Sequence, residues 1–91
     1  MPATKHLNIT GRVQGVGFRF YLERTARQHG VAGWVRNRRN GDVEAVVHGT
    51  ESAVSAVIEW ARRGPRNASV DNVEVQDAAG DYQGFEIRPT E

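Results

Sequence analysis

Residues 14 to 19 read Gln14-Gly15-Val16-Gly17-Phe18-Arg19. The two glycines let the main chain curl so that several N–H groups can converge. A helical pattern begins at Phe18, and the first turn of a helix leaves its N–H groups unpaired at the positive end of the dipole. A cup of that kind binds an anion such as phosphate. Arg19, at the helix start, can aim a guanidinium into it; the planar fork matches two phosphate oxygens and stays charged at physiological pH. The plain alternative is that two glycines between a strand and a helix make only a turn, and that an isolated arginine is only solvated. The segment is not a nucleotide loop of the common kinds. No Gly-Lys-Ser/Thr follows it, and the third glycine of the dinucleotide fingerprint is missing.

A second candidate is Asn37, which closes a strand-like run just before Asn40-Gly41. Its ordinary role would be that of a turn residue. If the first and second strands lie close at this end, its carboxamide can both accept from and donate to a water molecule and so position it for attack.

The elements that must bring these groups together can be read from periodicity. Leu7, Ile9 and Val13 alternate with His6, Asn8, Thr10 and Arg12, which predicts a strand with one buried face. Gly11 lies on the apolar side, where its small size admits a close backbone approach. Phe18, Leu22 and Ala26 recur at helical spacing up to His29, and Gly30 supplies a left-handed stop. Val31, Gly33 and Val35 predict a second strand, and Asn40-Gly41 a hairpin in which both residues tolerate positive φ. The return strand runs from Asp42 to Val47 and ends at Gly49. Thr50 is a candidate N-cap, with Glu51 in the first turn, Val54, Val57, Ile58 and Ala61 as the buried stripe, and Gly64-Pro65 as the stop. Val73 and Val75, then Phe85 and Ile87, predict two more strands. The order β-α-β-β-α-β, with a short final strand or extension, predicts an α+β fold. It is the ferredoxin-like two-layer sandwich, an antiparallel sheet with two helices on one face. That fold serves enzymes, RNA binders and metal carriers alike, so function must come from the site.

Composition narrows the field. Ninety-one residues, 38% hydrophobic and 25% charged, fit one soluble globular domain spanning residues 1–91. Twelve basic against eleven acidic residues argue against a dedicated nucleic-acid binder. The absence of cysteine excludes a disulfide, a thiolate nucleophile and a cysteine-held metal. No apolar run approaches the roughly 20 residues needed to span a bilayer, and the N-terminus leads straight into the strand pattern; a cytoplasmic chain with no membrane association is expected. His6, His29 and His48 lack metal-ligand spacing, and no carboxylate pair suggests acid–base work, so neither metal nor cofactor is expected. Arg36, Arg38 and Arg39 form a short basic run, usually no more than a solvated face, that could also raise the local anion concentration near Asn37.

The segment Ile9-x-Gly11-x-Val13-Gln14-Gly15-Val16-x-Phe18-Arg19 resembles the acylphosphatase family. So do Gly33-Trp34-Val35-Arg36-Asn37-x-x-x-Gly41-x-Val43, then Gly49, and the ending Tyr82-x-Gly84-Phe85-x-Ile87. The resemblance runs from about Lys5 to Pro89. It implies hydrolysis of a carboxylic–phosphoric anhydride to carboxylate and inorganic phosphate without a metal. It also implies roles: Arg19 as phosphate ligand, Asn37 as the group orienting the water, and Gln14, Gly15, Val16, Gly17 and Phe18 as the loop whose amides hold the phosphoryl oxygens. The implied partner is a small-molecule acyl phosphate, and a monomer is the expectation at this size.

Two rivals come from other classes. RNA-recognition domains share the element order, and Gly15-Val16-Gly17-Phe18-Arg19-Phe20 faintly echoes their aromatic motif. Gln14 and Val16 stand where that motif needs a basic and an aromatic residue, and the segment falls in a loop rather than on a central strand. Acylphosphatase-like domains also occur inside larger maturation enzymes that handle carbamoyl phosphate. A free-standing enzyme is the expectation for this chain, and an idle binding module on the same fold is the remaining alternative.

Overall fold

The computed structural model describes residues 2–91. Its elements are β1 (Pro2–Arg12), α1 (Phe18–Gln28), β2 (Ala32–Asn37), β3 (Val43–Thr50), α2 (Glu51–Arg63), β4 (Ser69–Asp77) and β5 (Phe85–Ile87). The sheet order is β4-β1-β3-β2-β5. The first four strands pair antiparallel, as the sequence pattern predicts. The short last strand adds to β2 in parallel, so the whole sheet is mixed.

Strand lengths exceed the predicted ones where pairing, rather than alternation, holds the chain extended. Pro2, Ala3 and Thr4 pair with Thr50, Gly49 and His48, which carries β3 through Gly49 instead of ending it there. At the other end of β1 the register with β4 shifts between Thr10 and Gly11. A Cβ on Gly11 would stand 2.2 Å from the Ser69 carbonyl oxygen, so only glycine admits this approach.

The β2–β3 connection departs from the predicted turn. Gly41 takes φ 99°, but no non-glycine residue among those described has positive φ, so Asn40 does not adopt the left-handed form. Asn40 instead accepts, through Oδ1, a hydrogen bond from the Asp42 N–H at 3.0 Å, while the Arg38 N–H donates to the Asp42 carbonyl at 2.8 Å. The asparagine side chain builds the turn in place of left-handed backbone.

Both helices cover the sheet face that carries Leu7, Ile9, Val35, Val43, Ala45 and Val47. α1 contributes Phe18, Leu22 and Ala26, and α2 contributes Val54, Val57 and Ala61. Ile58, counted in the predicted stripe, is only partly buried against the core edge. Phe18 is fully inside and tilts against Trp60 at 5.4 Å. Burying a side chain of that size stabilises by about 3 kcal/mol. It therefore anchors the first turn of α1, and with it the loop before it. Among the described residues no helix is long and apolar enough to cross a membrane.

Candidate active site

The two helices start differently. α2 is capped: the Ala53 N–H donates to Thr50 Oγ1 at 3.2 Å, and Glu51 occupies the first turn. α1 starts at Gly17 with no side-chain cap and no acidic residue in its first turn. Gly15 and Gly17 both take left-handed φ, 74° and 80°. Among the described residues, the N–H groups from Gly15 to Arg19 donate to no main-chain carbonyl or side chain. The same chain thus closes one helix start with protein groups and leaves the other open to an anion.

A cleft of about 230 Å³ opens at this point. It brings together Gln14, Gly15, Gly17, Phe18 and Arg19 of the loop with Asn37 from β2; Val13, Phe20 and Ile87 complete the wall. Val16 is not part of it: its side chain lines a neighbouring cleft with Tyr21, Trp60, Pro65, Arg66 and Asn67. Only its main-chain amide is therefore open to a role in the cup.

Asn37 reaches the cleft by strand parity. It lies two residues beyond Val35, and therefore on the helix-facing side, at the end of β2 beside the start of α1. Its Oδ1 is buried and without a hydrogen-bond partner, the one such side-chain atom among the described residues. A buried acceptor in that condition costs about 1–3 kcal/mol. Asn37 as a residue lines the cleft, so its carboxamide stands beside whatever the cleft binds.

The side chain of Gln14, which has no part of its own in the sequence reading, makes a separate set of contacts. Its Nε2 donates to the carbonyls of Arg38 at 2.7 Å and Asp42 at 2.9 Å. The side chain therefore fastens the loop to the β2–β3 hairpin and is not free to meet an anion. Asp42 is held in turn, its carboxylate accepting from Asn8 at 3.0 Å and Asn40 at 3.3 Å. Nothing in residue spacing announces this tether, because its partners are main-chain atoms distant in sequence.

The basic run also sorts differently from the sequence expectation. Arg36 and Arg38 lie on Glu44 Oε1 at 2.7 and 2.8 Å, and His6 lies on Oε2 at 2.7 Å. Glu44 is 9% exposed, on the sheet face away from the helices. Burial alone would raise its pKa, but hydrogen bonds from His6, Arg38 and Arg36 outweigh that and hold it at about 2. Two of the three arginines thus neutralise a buried carboxylate instead of forming an anion-attracting patch. Arg36 also stacks at 4.9 Å on Trp34, whose ring Arg88 approaches at 4.7 Å. His48 meets Thr4 at 2.6 Å, and no group of three or more His, Asp or Glu side chains among the described residues is placed to hold a metal ion.

Comparison with known proteins identifies the family. The family model described as Acylphosphatase matches residues 5–87. A Thiobacillus denitrificans protein described as Acylphosphatase is 54% identical over 85 residues, covering 93% of this chain and 96% of that one. The solved acylphosphatase structure from Coxiella burnetii superposes with a TM-score of 0.92 at 35% identity, covering 96% of this chain and 93% of that one. HypF of T. kodakarensis contains a similar region, with a TM-score of 0.83 and 33% identity; it covers 97% of this chain but only 12% of the HypF chain. With both motifs in one cleft and relatives matched over almost their full length, the chain belongs to the acylphosphatase family and hydrolyses acyl phosphates to a carboxylate and inorganic phosphate.

Proposed function

We propose that the 14–19 loop and Arg19 hold the phosphoryl group while Asn37 orients the attacking water. The reading rests on one observation: the uncapped start of α1, Arg19 and Asn37 meet in a single cleft. The N–H groups of Gly15 to Phe18 and the Arg19 guanidinium would contact the equatorial oxygens, where charge develops as phosphoryl transfer proceeds. The Asn37 carboxamide would hold the water and fix its lone pair towards phosphorus. The new water O–P bond forms as the bridging P–O bond breaks. The carboxylate leaves with the electron pair, and the water's proton passes to a phosphoryl oxygen. A carboxylate is a good leaving group, so no general acid is required.

The cleft is built from the loop after β1, the start of α1 and the end of β2, which supports a single domain as its whole machinery, and ninety-one residues are a natural size for a monomer. The near balance of twelve basic and eleven acidic residues supports a small-molecule substrate rather than a nucleic acid. A chain without cysteine suits the reducing cytoplasm.

The test is hydrolysis of an aryl acyl phosphate in EDTA by wild type, Arg19→Ala and Arg19→Lys. Wild type should keep its turnover in chelator, and both variants should lose at least about a hundredfold. Lysine fails because it keeps the charge but lacks the fork. Near wild-type activity in Arg19→Lys would remove Arg19 as the phosphate ligand, and loss in EDTA restored by a divalent ion would overturn the metal-free reading.

A further inference from the structure

Three large hydrophobic side chains are exposed among the described residues: Phe20 at 55%, Tyr21 at 42% and Ile87 at 41%. Two of these, Phe20 and Ile87, line the cleft that holds Arg19 and Asn37. They arrive from separate elements. Phe20 is two residues past the buried Phe18, and so turned away from the buried stripe of α1. Ile87 is two residues past the buried Phe85 in β5, in register with Val35 of β2. Neither side chain is needed to fill the core, and leaving both in water forgoes stabilisation that burial would give. The cleft therefore has a polar floor and an apolar rim, and Arg19 is the one charged side chain lining it.

An acyl phosphate has the same two ends. The geometry points to Phe20 and Ile87 as the acyl subsite, which selects uncharged apolar acyl groups, aryl or branched aliphatic, over small polar or charged ones. This assignment rests on the phosphate reading of the loop. With the phosphoryl group on the loop amides, the acyl carbon skeleton extends along the rim and covers both side chains. A charged acyl group would find no counter-ion there, because Arg19 is engaged with phosphate.

The test compares benzoyl phosphate with acetyl phosphate for wild type, Phe20→Ala, Ile87→Ala and the double variant, with the inhibition constant of inorganic phosphate as a reference that carries no acyl group. Wild type should prefer benzoyl phosphate in kcat/KM. The double variant should lose about tenfold of that preference, chiefly as a higher KM for benzoyl phosphate, while the phosphate inhibition constant moves less than threefold. Both side chains are half-exposed, so truncation leaves the core intact; Phe20→Leu should restore part of the preference. An unchanged benzoyl-to-acetyl ratio in the double variant overturns the subsite while leaving the phosphate site standing. Equal weakening of both substrates and of phosphate assigns the two residues to loop support and also overturns it. Arg19→Ala run alongside separates the two levels: retained turnover there would remove the phosphate reading, and the subsite with it.

Discussion

Gln14 and Asp42 join the anion loop to the β2–β3 hairpin, Nε2 of the first donating to the carbonyl of the second at 2.9 Å and to that of Arg38 at 2.7 Å. This couples the anion loop to the hairpin that begins where Asn37 ends β2. Both carbonyls keep another donor without it, Asp42 from the Arg38 N–H at 2.8 Å and Arg38 from the Gly41 N–H at 3.1 Å. Gln14→Ala should therefore destabilise by only about 1 kcal/mol. Its effect on catalysis should be larger, a fall in kcat of about tenfold or more, because a small misplacement of loop against water costs rate steeply. Gln14→Glu should be at least as damaging, since a carboxylate cannot donate to two carbonyls. Thermal melts with steady-state kinetics check both, and a wild-type kcat in Gln14→Ala would show that the tether has no part in positioning.

Asn37 carries the opposite trade between stability and activity. Its Oδ1 is a buried acceptor with no protein partner, so deleting it removes a cost rather than an interaction. Asn37→Ala should leave the melting temperature unchanged or slightly raised while kcat falls about a hundredfold. The inhibition constant for inorganic phosphate should change little, because phosphate would sit on the loop and Arg19. Lost phosphate affinity with intact kcat would make Asn37 a ligand rather than the group that positions water.

Much of this arrangement is legible in the sequence, and what is not has a common cause. Alternation and helical spacing depend on neighbours along the chain, and they locate every element from β1 to α2. The glycine pair at 15 and 17, followed by a helix, predicts an anion cup because backbone conformation there is a local matter. Contacts between distant segments leave no such mark. The extension of β3 through Gly49 depends on Pro2 to Thr4 pairing beside it. The parallel seat of β5 on β2 depends on the path of the chain after β4. The tether made by the Gln14 side chain leaves no mark in the sequence until Arg38 and Asp42 are brought beside it. Arg36 and Arg38 read as a basic run until Glu44, several residues on in the paired strand, meets them. Phe20 is legible in part: an aromatic residue out of phase with Phe18, Leu22 and Ala26 cannot join their stripe and is left for another use.

Glu44 sets an acid limit on the fold. Its carboxyl titrates at about 2 in the folded chain against an ordinary value of 4.5, because His6, Arg38 and Arg36 overcome the desolvation that would raise it. A group with a depressed folded pKa contributes its stabilisation fully above the unfolded value. That contribution should be complete above pH 4.5, decline as pH falls from 4.5 towards 2, and be gone below 2. The shift sets an upper bound of about 3 kcal/mol, reduced in practice by solvent on the open sheet face. Asp77, lowered by its contact with Lys5, acts in the same direction at the exposed edge. Glu44→Gln separates the two. It leaves two guanidinium groups beside a neutral amide, so it should be less stable than wild type at pH 7 by about 2 kcal/mol. The gap should close as pH falls, since the wild-type carboxyl becomes neutral as well. Urea unfolding of both proteins from pH 7 to pH 2 measures this. A constant gap across that range would show that the stabilisation comes from packing and not from the charge on Glu44.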